Sequence, residues 1–278
     1  MGSLRTADGR ILAYRREGCG PLLVCHPGGP GASSRYLGDL GGLTESLTLV
    51  CLDPRGTGES DAPGNASAYT LEDYVGDLDD LRAHLGLERF DLFGFSHGGM
   101  VAMRYARSHP QRVERLILAS TSARRGEAQR AEAERVLAAR ADEPWYAGAM
   151  AALESDDDAY QTAEATTQAL KTMAPLFFAR WDAAASEFVQ TDFGIDCVDA
   201  LRLFNADPPD LLDDLGRISA PTLVITGEDD FVCGPASAAE IAGGISRARL
   251  VVLRHAGHMT YFEQPERFRA EVHSFLVA

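Results

Sequence analysis

A glycine-rich segment in the N-terminal half of the chain holds a serine in a position suited to a nucleophile. Residues 94–98 read Gly-Phe-Ser-His-Gly, which places Ser96 at the centre of a Gly-x-Ser-x-Gly motif. The motif follows the short apolar run 90–95 and precedes a helical pattern, and this strand–turn–helix order is typical of a nucleophile elbow. Glycines at 94 and 98 leave room for a sharp, strained turn that lifts the hydroxyl out of the sheet. The motif alone also fits an ordinary glycine-rich turn.

Two later segments supply an acid and a base for this serine. A serine hydroxyl becomes an effective nucleophile when an imidazole accepts its proton and a carboxylate orients that imidazole. Asp230 follows a predicted strand that ends at Gly227, and His258 follows the next predicted strand. The alternatives are Asp229 and Glu228 for the acid and His255 for the base. The chain order Ser96, Asp230, His258 differs from the orders of the chymotrypsin and subtilisin types.

A second glycine-rich loop is suited to holding negative charge during attack on a carbonyl group. The tetrahedral intermediate needs two hydrogen-bond donors aimed at its oxyanion. The backbone N–H of His97, directly after the proposed nucleophile, is one candidate. The loop 26–31, His-Pro-Gly-Gly-Pro-Gly, follows the first buried strand and offers the other, with Gly29 preferred and Gly28 as the alternative. The same loop also fits an ordinary proline- and glycine-rich turn.

The elements around these residues predict one mostly parallel sheet. A hairpin around Asp8-Gly9 comes first, and a helix with a capping-box pattern at Thr70 precedes the serine motif. The predicted buried strands are the apolar runs 22–26, 47–52, 90–95, 113–120, 221–227 and 248–253. Strands that alternate with helices indicate a doubly wound α/β fold. Functional residues of such sheets gather beyond the C-terminal ends of the strands, where all the candidates lie.

The alternation of strands and helices stops between residues 123 and 217. This stretch is rich in Ala, Glu, Asp and Arg, has helical periodicity and contains no convincing strand. Its prolines, at 144, 175, 208 and 209, divide it into several predicted helices. We therefore predict a core domain formed by residues 1–122 and 218–278, with a helical cap, residues 123–217, inserted into it. The acidic run 156–158 within the cap is predicted to be a solvated turn rather than a cation site.

Composition restricts the partners and the location of the chain. With 278 residues, 45% of them hydrophobic, it can bury one large core. No apolar run approaches the roughly 18 residues of a membrane span, and no secretory signal opens the chain, so a cytoplasmic location is predicted. The formal net charge of −15 argues against nucleic acid and anionic membranes as partners. The net charge says little about a small-molecule substrate, and the sequence leaves the oligomeric state open.

Taken together, the motifs resemble the α/β-hydrolases of the proline iminopeptidase-like group. Residues 28–31, Gly-Gly-Pro-Gly, resemble the end of that group's oxyanion loop, although Pro27 stands where the group has a histidine. Residues 53–60 resemble its Asp-x-Arg-Gly-x-Gly-x-Ser turn. The segments that resemble its triad positions lie around Ser96, Asp230 and His258. The resemblance covers the predicted core domain and implies a serine hydrolase with an acyl-enzyme intermediate and with no metal or organic cofactor.

The resemblance also orders the candidate functions. Release of an N-terminal residue such as proline from small peptides comes first, and hydrolysis of an ester, thioester or lactone is the alternative. A ligand-binding protein that does not turn its ligand over is a third hypothesis. In the peptidases, acidic cap residues hold the substrate's amino end. The cap carboxylates considered for this role, each expected to be a solvated helix residue, are Glu154, Glu164, Asp182 and Glu187. The cap aromatics considered as a pocket lining, most of them expected to be ordinary packing, are Trp145, Tyr146, Phe177, Phe178, Trp181 and Phe204.

Overall fold

One sheet organises the part of the chain that the structure, a computed structural model, describes: residues 1–155 and 161–277. Its strands are β1 (Gly2–Arg5), β2 (Ile11–Gly18), β3 (Leu22–His26), β4 (Thr48–Leu52), β5 (Phe90–Phe95), β6 (Val113–Ala119), β7 (Thr222–Gly227) and β8 (Ala248–Leu253). Their order across the sheet is β1-β2-β4-β3-β5-β6-β7-β8. Strand β2 is antiparallel to both of its neighbours, and every other pairing is parallel. The predicted mostly parallel α/β sheet is confirmed.

From β4 onward, helices follow the strands as the sequence predicts, and several of them lie between β6 and β7. They are α1 (Leu71–His84), α2 (His97–Ser108), α3 (Glu127–Ala138), α4 (Tyr146–Leu153), α5 (Ala163–Met173), α6 (Ala183–Asp192), α7 (Val198–Ala206), α8 (Leu212–Leu215), α9 (Pro235–Gly244), α10 (Thr260–Glu263) and α11 (Pro265–Val277). Short 3-10 turns lie at Ser34–Leu37, Leu43–Glu45 and Ala174–Phe177. Among the described residues, no helix is long and apolar enough to cross a membrane. The cytoplasmic location stays a prediction.

Successive residues of the central strands face two different hydrophobic cores. In β5, Leu92 packs in a core that includes residues of α1 and α2, and Phe93 packs in the opposite core with residues of α11. Every residue of β4 is buried. Side chains alternate between the faces of a strand, so a strand covered on both faces is apolar throughout. This is why the apolar runs in the sequence show so little alternation.

Helices α3 to α8 all lie between β6 and β7 in the chain. We call residues 123–217 the cap segment, and its division from a core domain stays a prediction. Two of its helices begin at side-chain caps: Thr162 accepts the Ala165 N–H at 3.2 Å and Asp182 accepts the Ala185 N–H at 3.0 Å. Such caps satisfy backbone donors that a helix start leaves open. The acidic run 156–158 lies outside the described residues.

Candidate active site

Ser96 lies in the tight turn between β5 and α2, in a strained backbone conformation. Its φ of 52° and ψ of −121° fall outside the regions that L-residues ordinarily adopt. The Ser96 N–H donates to the Ala119 carbonyl at 2.9 Å, and the Ser96 carbonyl accepts from the Gly99 N–H at 2.8 Å and from the Thr121 hydroxyl at 2.6 Å. Bonds from both β6 and α2 therefore hold the serine in a conformation that it would not adopt alone.

The elbow and the glycine-rich loop after β3 lie in close contact. A Cβ on Gly98 would lie 2.3 Å from the His26 carbonyl oxygen, and a Cβ on Gly28 would lie 2.5 Å from the Cβ of Ser96. Real Cβ contacts are not this short, so only glycine fits at either position. The loop that the sequence assigns to the oxyanion thus lies directly beside the predicted nucleophile.

Asp230 and His258 form a buried hydrogen-bonded pair. The Asp230 Oδ2 lies 2.9 Å from the His258 Nδ1, and the two residues are 0% and 5% exposed. The other carboxylate oxygen accepts the N–H groups of Val232 at 2.8 Å and Cys233 at 3.0 Å. These bonds fix the carboxylate and direct Oδ2 at the imidazole. With Nδ1–H donating to Asp230, Nε2 is left as the ring's acceptor.

The imidazole of this pair lies beside the serine elbow. The ring centroids of His258 and Phe95 are 5.1 Å apart, and Phe95 directly precedes Ser96. The structure thus brings the elbow, Asp230 and His258 together. Of the alternatives weighed from the sequence, Glu228 and His255 are exposed and Asp229 is half-buried in a surface groove.

The two glycines considered for the oxyanion differ in their hydrogen bonding. The Gly28 N–H donates to the Tyr36 hydroxyl at 2.6 Å and is therefore already occupied. Gly29 has a φ of +68°, and within the described residues neither its N–H nor the N–H of His97 donates to any acceptor. Two open N–H groups, one in the loop and one at the start of α2, are suited to binding an anion.

The cap segment fixes this loop from the other side. The Gly31 carbonyl accepts the N–H of Asp196 at 2.8 Å and that of Cys197 at 3.0 Å. The carboxylate of Asp196 also accepts the Gly58 N–H at 2.8 Å, in the turn 53–60 that the sequence singled out. The segment between α6 and α7 therefore links the glycine-rich loop 26–31 to the turn 53–60.

Two buried histidines beside the site are expected to stay neutral. Burial lowers the pKa of His26 to about 4 and that of His97 to about 3. The His97 ring packs edge-on against Tyr74 at 5.3 Å and against Phe204 of α7 at 5.2 Å. As expected from the sequence, these two rings are packed in the interior; the role of the His97 backbone N–H in holding an oxyanion stays a prediction.

Half-buried aromatic side chains lie next to His258. The Phe177 ring is 5.9 Å from the imidazole, stacks on Phe231 at 5.6 Å and lies 6.4 Å from Phe193. Phe193 in turn contacts Tyr36 at 5.7 Å. Of the cap aromatics considered from the sequence, Phe177 is the one in contact with the imidazole.

None of the four cap carboxylates considered from the sequence, all within the described residues, forms a hydrogen bond or ion pair with the imidazole of His258: one caps a helix and the others are exposed. Asp182 caps α6 and pairs with Arg180 at 2.7 Å. The remaining three are exposed: Glu154, Glu164 and Glu187. Within residues 1–155 and 161–277, no group of three or more His, Cys, Asp or Glu side chains is arranged to hold a metal ion.

Several residues that contact the site could not be predicted from any pattern in the sequence. Tyr36 and Thr121 bond to backbone atoms of the loop and the elbow, and Glu263 bonds to the N–H of Gly257 beside His258. Such contacts with backbone atoms follow no fixed sequence spacing. Tyr36 is separated from the loop by only a few residues, but nothing in its surroundings distinguishes it from a core tyrosine.

The close approach of Gly28 to the elbow gives a first test. In Gly28→Ala the new Cβ would meet the Ser96 Cβ at 2.5 Å and the Phe95 carbonyl oxygen at 2.7 Å, so the loop must shift. We expect kcat/KM to fall by about 100-fold, because a displacement of about 1 Å in an active site has that order of effect. The measurement is hydrolysis of a short acyl aryl ester, with circular dichroism to confirm folding.

The matched control for this substitution is Gly76→Ala. Gly76 is exposed in the middle of α1, and a Cβ there would meet nothing within 4 Å. We expect this variant to keep full activity and to gain up to about 1 kcal/mol in stability, since alanine is the better helix former. Wild-type kcat/KM in Gly28→Ala would contradict the proposed role of the loop.

Comparisons with known proteins identify the fold family of the chain. The sequence profile described as the alpha/beta hydrolase fold matches residues 21–265. A proline iminopeptidase of Lactobacillus helveticus is 28% identical over 96% of this chain and 92% of its own. The crystal structure of a hydrolase from Pseudomonas aeruginosa superposes with a TM-score of 0.74 at 31% identity, covering 100% of this chain and 98% of the other. A thermophilic esterase from Thermogutta terrifontis superposes with a TM-score of 0.71 at 27% identity, covering 99% and 97%.

Proposed function

The chain belongs to the α/β-hydrolase fold family, and within it we propose a serine hydrolase that works through an acyl-enzyme. Ser96 is the nucleophile, His258 is the general base and acid, and Asp230 orients His258. The observation that carries the proposal is the buried 2.9 Å hydrogen bond between Asp230 and His258, beside a serine held in a strained elbow. Strained residues persist where surrounding structure enforces them, and they concentrate at functional sites.

In this mechanism His258 Nε2 accepts the proton of the Ser96 hydroxyl while Oγ forms a bond to the substrate's carbonyl carbon. The carbonyl oxygen becomes an oxyanion and accepts the N–H groups of Gly29 and His97. The imidazolium, stabilised by Asp230, then gives its proton to the leaving amine or alcohol as the bond to that group breaks. Water attacks the acyl-enzyme with His258 again as the base. Proton return to Oγ releases the acid and restores Ser96.

For the substrate, we propose release of N-terminal residues from small peptides. The support is the similarity to proline iminopeptidases along almost the whole chain, with 92% of the Lactobacillus helveticus protein covered. The apolar surface formed by Phe177, Phe193 and Phe231 suits a compact apolar residue such as proline on the acyl side.

A second candidate is hydrolysis of an ester, thioester or lactone. It is favoured by the surroundings of the four carboxylates considered from the sequence: Glu154, Glu164 and Glu187 are exposed, and Asp182 is already engaged by Arg180 and by the Ala185 N–H. The aromatic surface formed by Phe177, Phe193 and Phe231 suits a neutral acyl group better than a charged one, because burial of a charge without a partner is costly. The similarity to an esterase of Thermogutta terrifontis is in line with this candidate.

Three substrates separate the two candidates: a prolyl arylamide, its N-acetylated form and a short acyl aryl ester. If the protein recognises a free amino terminus, kcat/KM for the prolyl arylamide should exceed that for its N-acetylated form by at least about 100-fold. This ratio corresponds to a difference of about 3 kcal/mol in recognition of the two substrates. Ester turnover without arylamide turnover would move the function to esters or lactones. The Ser96→Ala variant is the blank for each substrate.

A further inference from the structure

The carboxylate of Glu263, the last residue of α10, joins two backbone segments. Its Oε2 accepts the Gly257 N–H at 2.7 Å, directly before His258. Its Oε1 accepts the Ala179 N–H at 2.7 Å, in the cap segment. One side chain therefore holds the loop of the general base against the cap segment.

The same stretch of the cap segment touches the base loop at a second point. The Phe177 carbonyl accepts the His258 N–H at 2.6 Å, and a Cβ on Gly257 would lie 2.4 Å from that carbonyl oxygen. Residues 177–179 thus lie directly against residues 257–258. A small shift of this stretch would move the backbone of His258.

The acid loop is tied to this stretch by a buried cation. Arg140, 9% exposed, donates to the Leu176 carbonyl and, at 2.7 Å, to the Asp229 carbonyl beside Asp230. The acid and the base therefore lie on loops that are both fastened to residues 176–179, one by a guanidinium and the other by a carboxylate.

We propose that Glu263 is a positioning residue for His258, which acts by tying Gly257 to Ala179 of the cap segment. The inference rests on the proposed function, since the imidazole must be held in place for the proton transfers described above. Bonds from backbone N–H groups to a carboxylate are charge-assisted and directional, so they restrict the loop more than neutral bonds would. Glu263 touches no reacting atom and acts through the backbone.

The surroundings of Glu263 make its ionisation relevant near neutral pH. Burial raises the pKa of this carboxyl to about 7, against the opposing effect of the backbone N–H groups and of Arg140. The charged and titratable groups around it are Arg140, Arg180, Asp182, Asp229, His255 and His258. Below pH 7 the carboxyl takes up a proton and becomes the weaker acceptor, which loosens its hold on Gly257.

The kinetic test compares Glu263→Ala and Glu263→Gln with Glu266→Gln, an exposed glutamate three residues further on. In Glu263→Ala we expect kcat to fall about 10- to 100-fold with KM within about twofold, since a misplaced base slows chemistry more than binding. Glu263→Gln keeps one acceptor oxygen and should lose less. The control should match the wild type. Wild-type kcat in Glu263→Ala would overturn the proposal.

The pH profile adds a readout that a purely structural role would not move. In the wild type, kcat should fall more steeply below pH 7 than in Glu263→Gln, because only the wild type loses an ionised carboxylate at residue 263 as the pH falls. Normalised profiles that superimpose would overturn the proposal. Both proteins are compared at the same ionic strength and on the same ester.

Amide hydrogen exchange tests the inference without any substrate. In folded Glu263→Ala, the amides of Gly257 and Ala179 should exchange faster than in the wild type, since each has lost its acceptor. Unchanged protection of both amides would overturn the role of Glu263. Failure of the proposed function has a different signature: a wild-type protein that hydrolyses none of the substrates and does not react with a fluorophosphonate.

Discussion

Replacement of Ser96 by alanine is expected to lower kcat by about 10⁴-fold or more while the protein stays folded. The substitution removes the Oγ that forms the acyl-enzyme, and what catalysis remains comes from the oxyanion donors and from substrate binding. Alanine has a Cβ like serine, so the strain at a φ of 52° is unchanged. The backbone bonds of residue 96 to Ala119 and Gly99 are also retained. We therefore expect a melting temperature close to that of the wild type.

The control for this prediction is Ser237→Ala. Ser237 is 1% exposed, and within the described part of the chain its hydroxyl has no hydrogen-bond partner. Removal of a buried hydroxyl without a partner costs little stability and should leave kcat unchanged. Equal loss of activity in the two variants would indicate a general effect of the serine-to-alanine change.

Reaction with a fluorophosphonate gives a second measurement on the same residue. The wild type should be labelled at Ser96, and Ser96→Ala should not be labelled. Because the reagent needs an activated serine and an oxyanion site, labelling reports the assembled machinery without any assumption about the substrate. A folded wild-type protein that does not react would favour the ligand-binding hypothesis.

The sheet and the start of its first long helix were predictable because each follows from a local rule. Apolar runs such as 47–52 predict strands that are buried on both faces, and β4 is buried throughout. The pattern at Thr70 predicts a capping box, and the structure confirms it: Thr70 accepts the Asp73 N–H at 3.3 Å, and the Asp73 carboxylate accepts the Thr70 N–H at 2.9 Å. In both cases the sequence pattern that carries the prediction spans only a few neighbouring residues.

For the candidate site, the sequence predicts the segments and favours Asp230, but it does not exclude the adjacent acidic residues. Position after a strand selects the segment 228–230, but three acidic residues compete within it. Only the folded loop directs Asp230 inward, where the N–H groups of Val232 and Cys233 hold it. Glu263 was missed for a related reason, because its partners are backbone atoms that the fold brings near it and that no spacing encodes.

Replacement of Asp230 by asparagine is expected to lower kcat by about 10³- to 10⁴-fold with little change in KM. The amide has one acceptor oxygen where the carboxylate has two. If that oxygen keeps the N–H groups of Val232 and Cys233, the NH₂ group faces His258 Nδ1 and donates to it. The imidazole then carries its proton on Nε2 and cannot accept the proton of Ser96. If the amide flips, its NH₂ group meets two backbone donors instead, and the loop is destabilised.

Asp229→Asn is the matched control, since it makes the same chemical change one residue away. The Asp229 contact with Arg140 is made by the backbone carbonyl, which the substitution leaves in place. We therefore expect Asp229→Asn to keep kcat within about threefold of the wild type, in line with the small effects of substitutions at a surface. A large loss in Asp229→Asn together with near-normal kcat in Asp230→Asn would place the orienting carboxylate at residue 229. That result would require a loop conformation in which Val232 and Cys233 no longer hold Asp230, so the pair of variants tests the geometry as well as the residue.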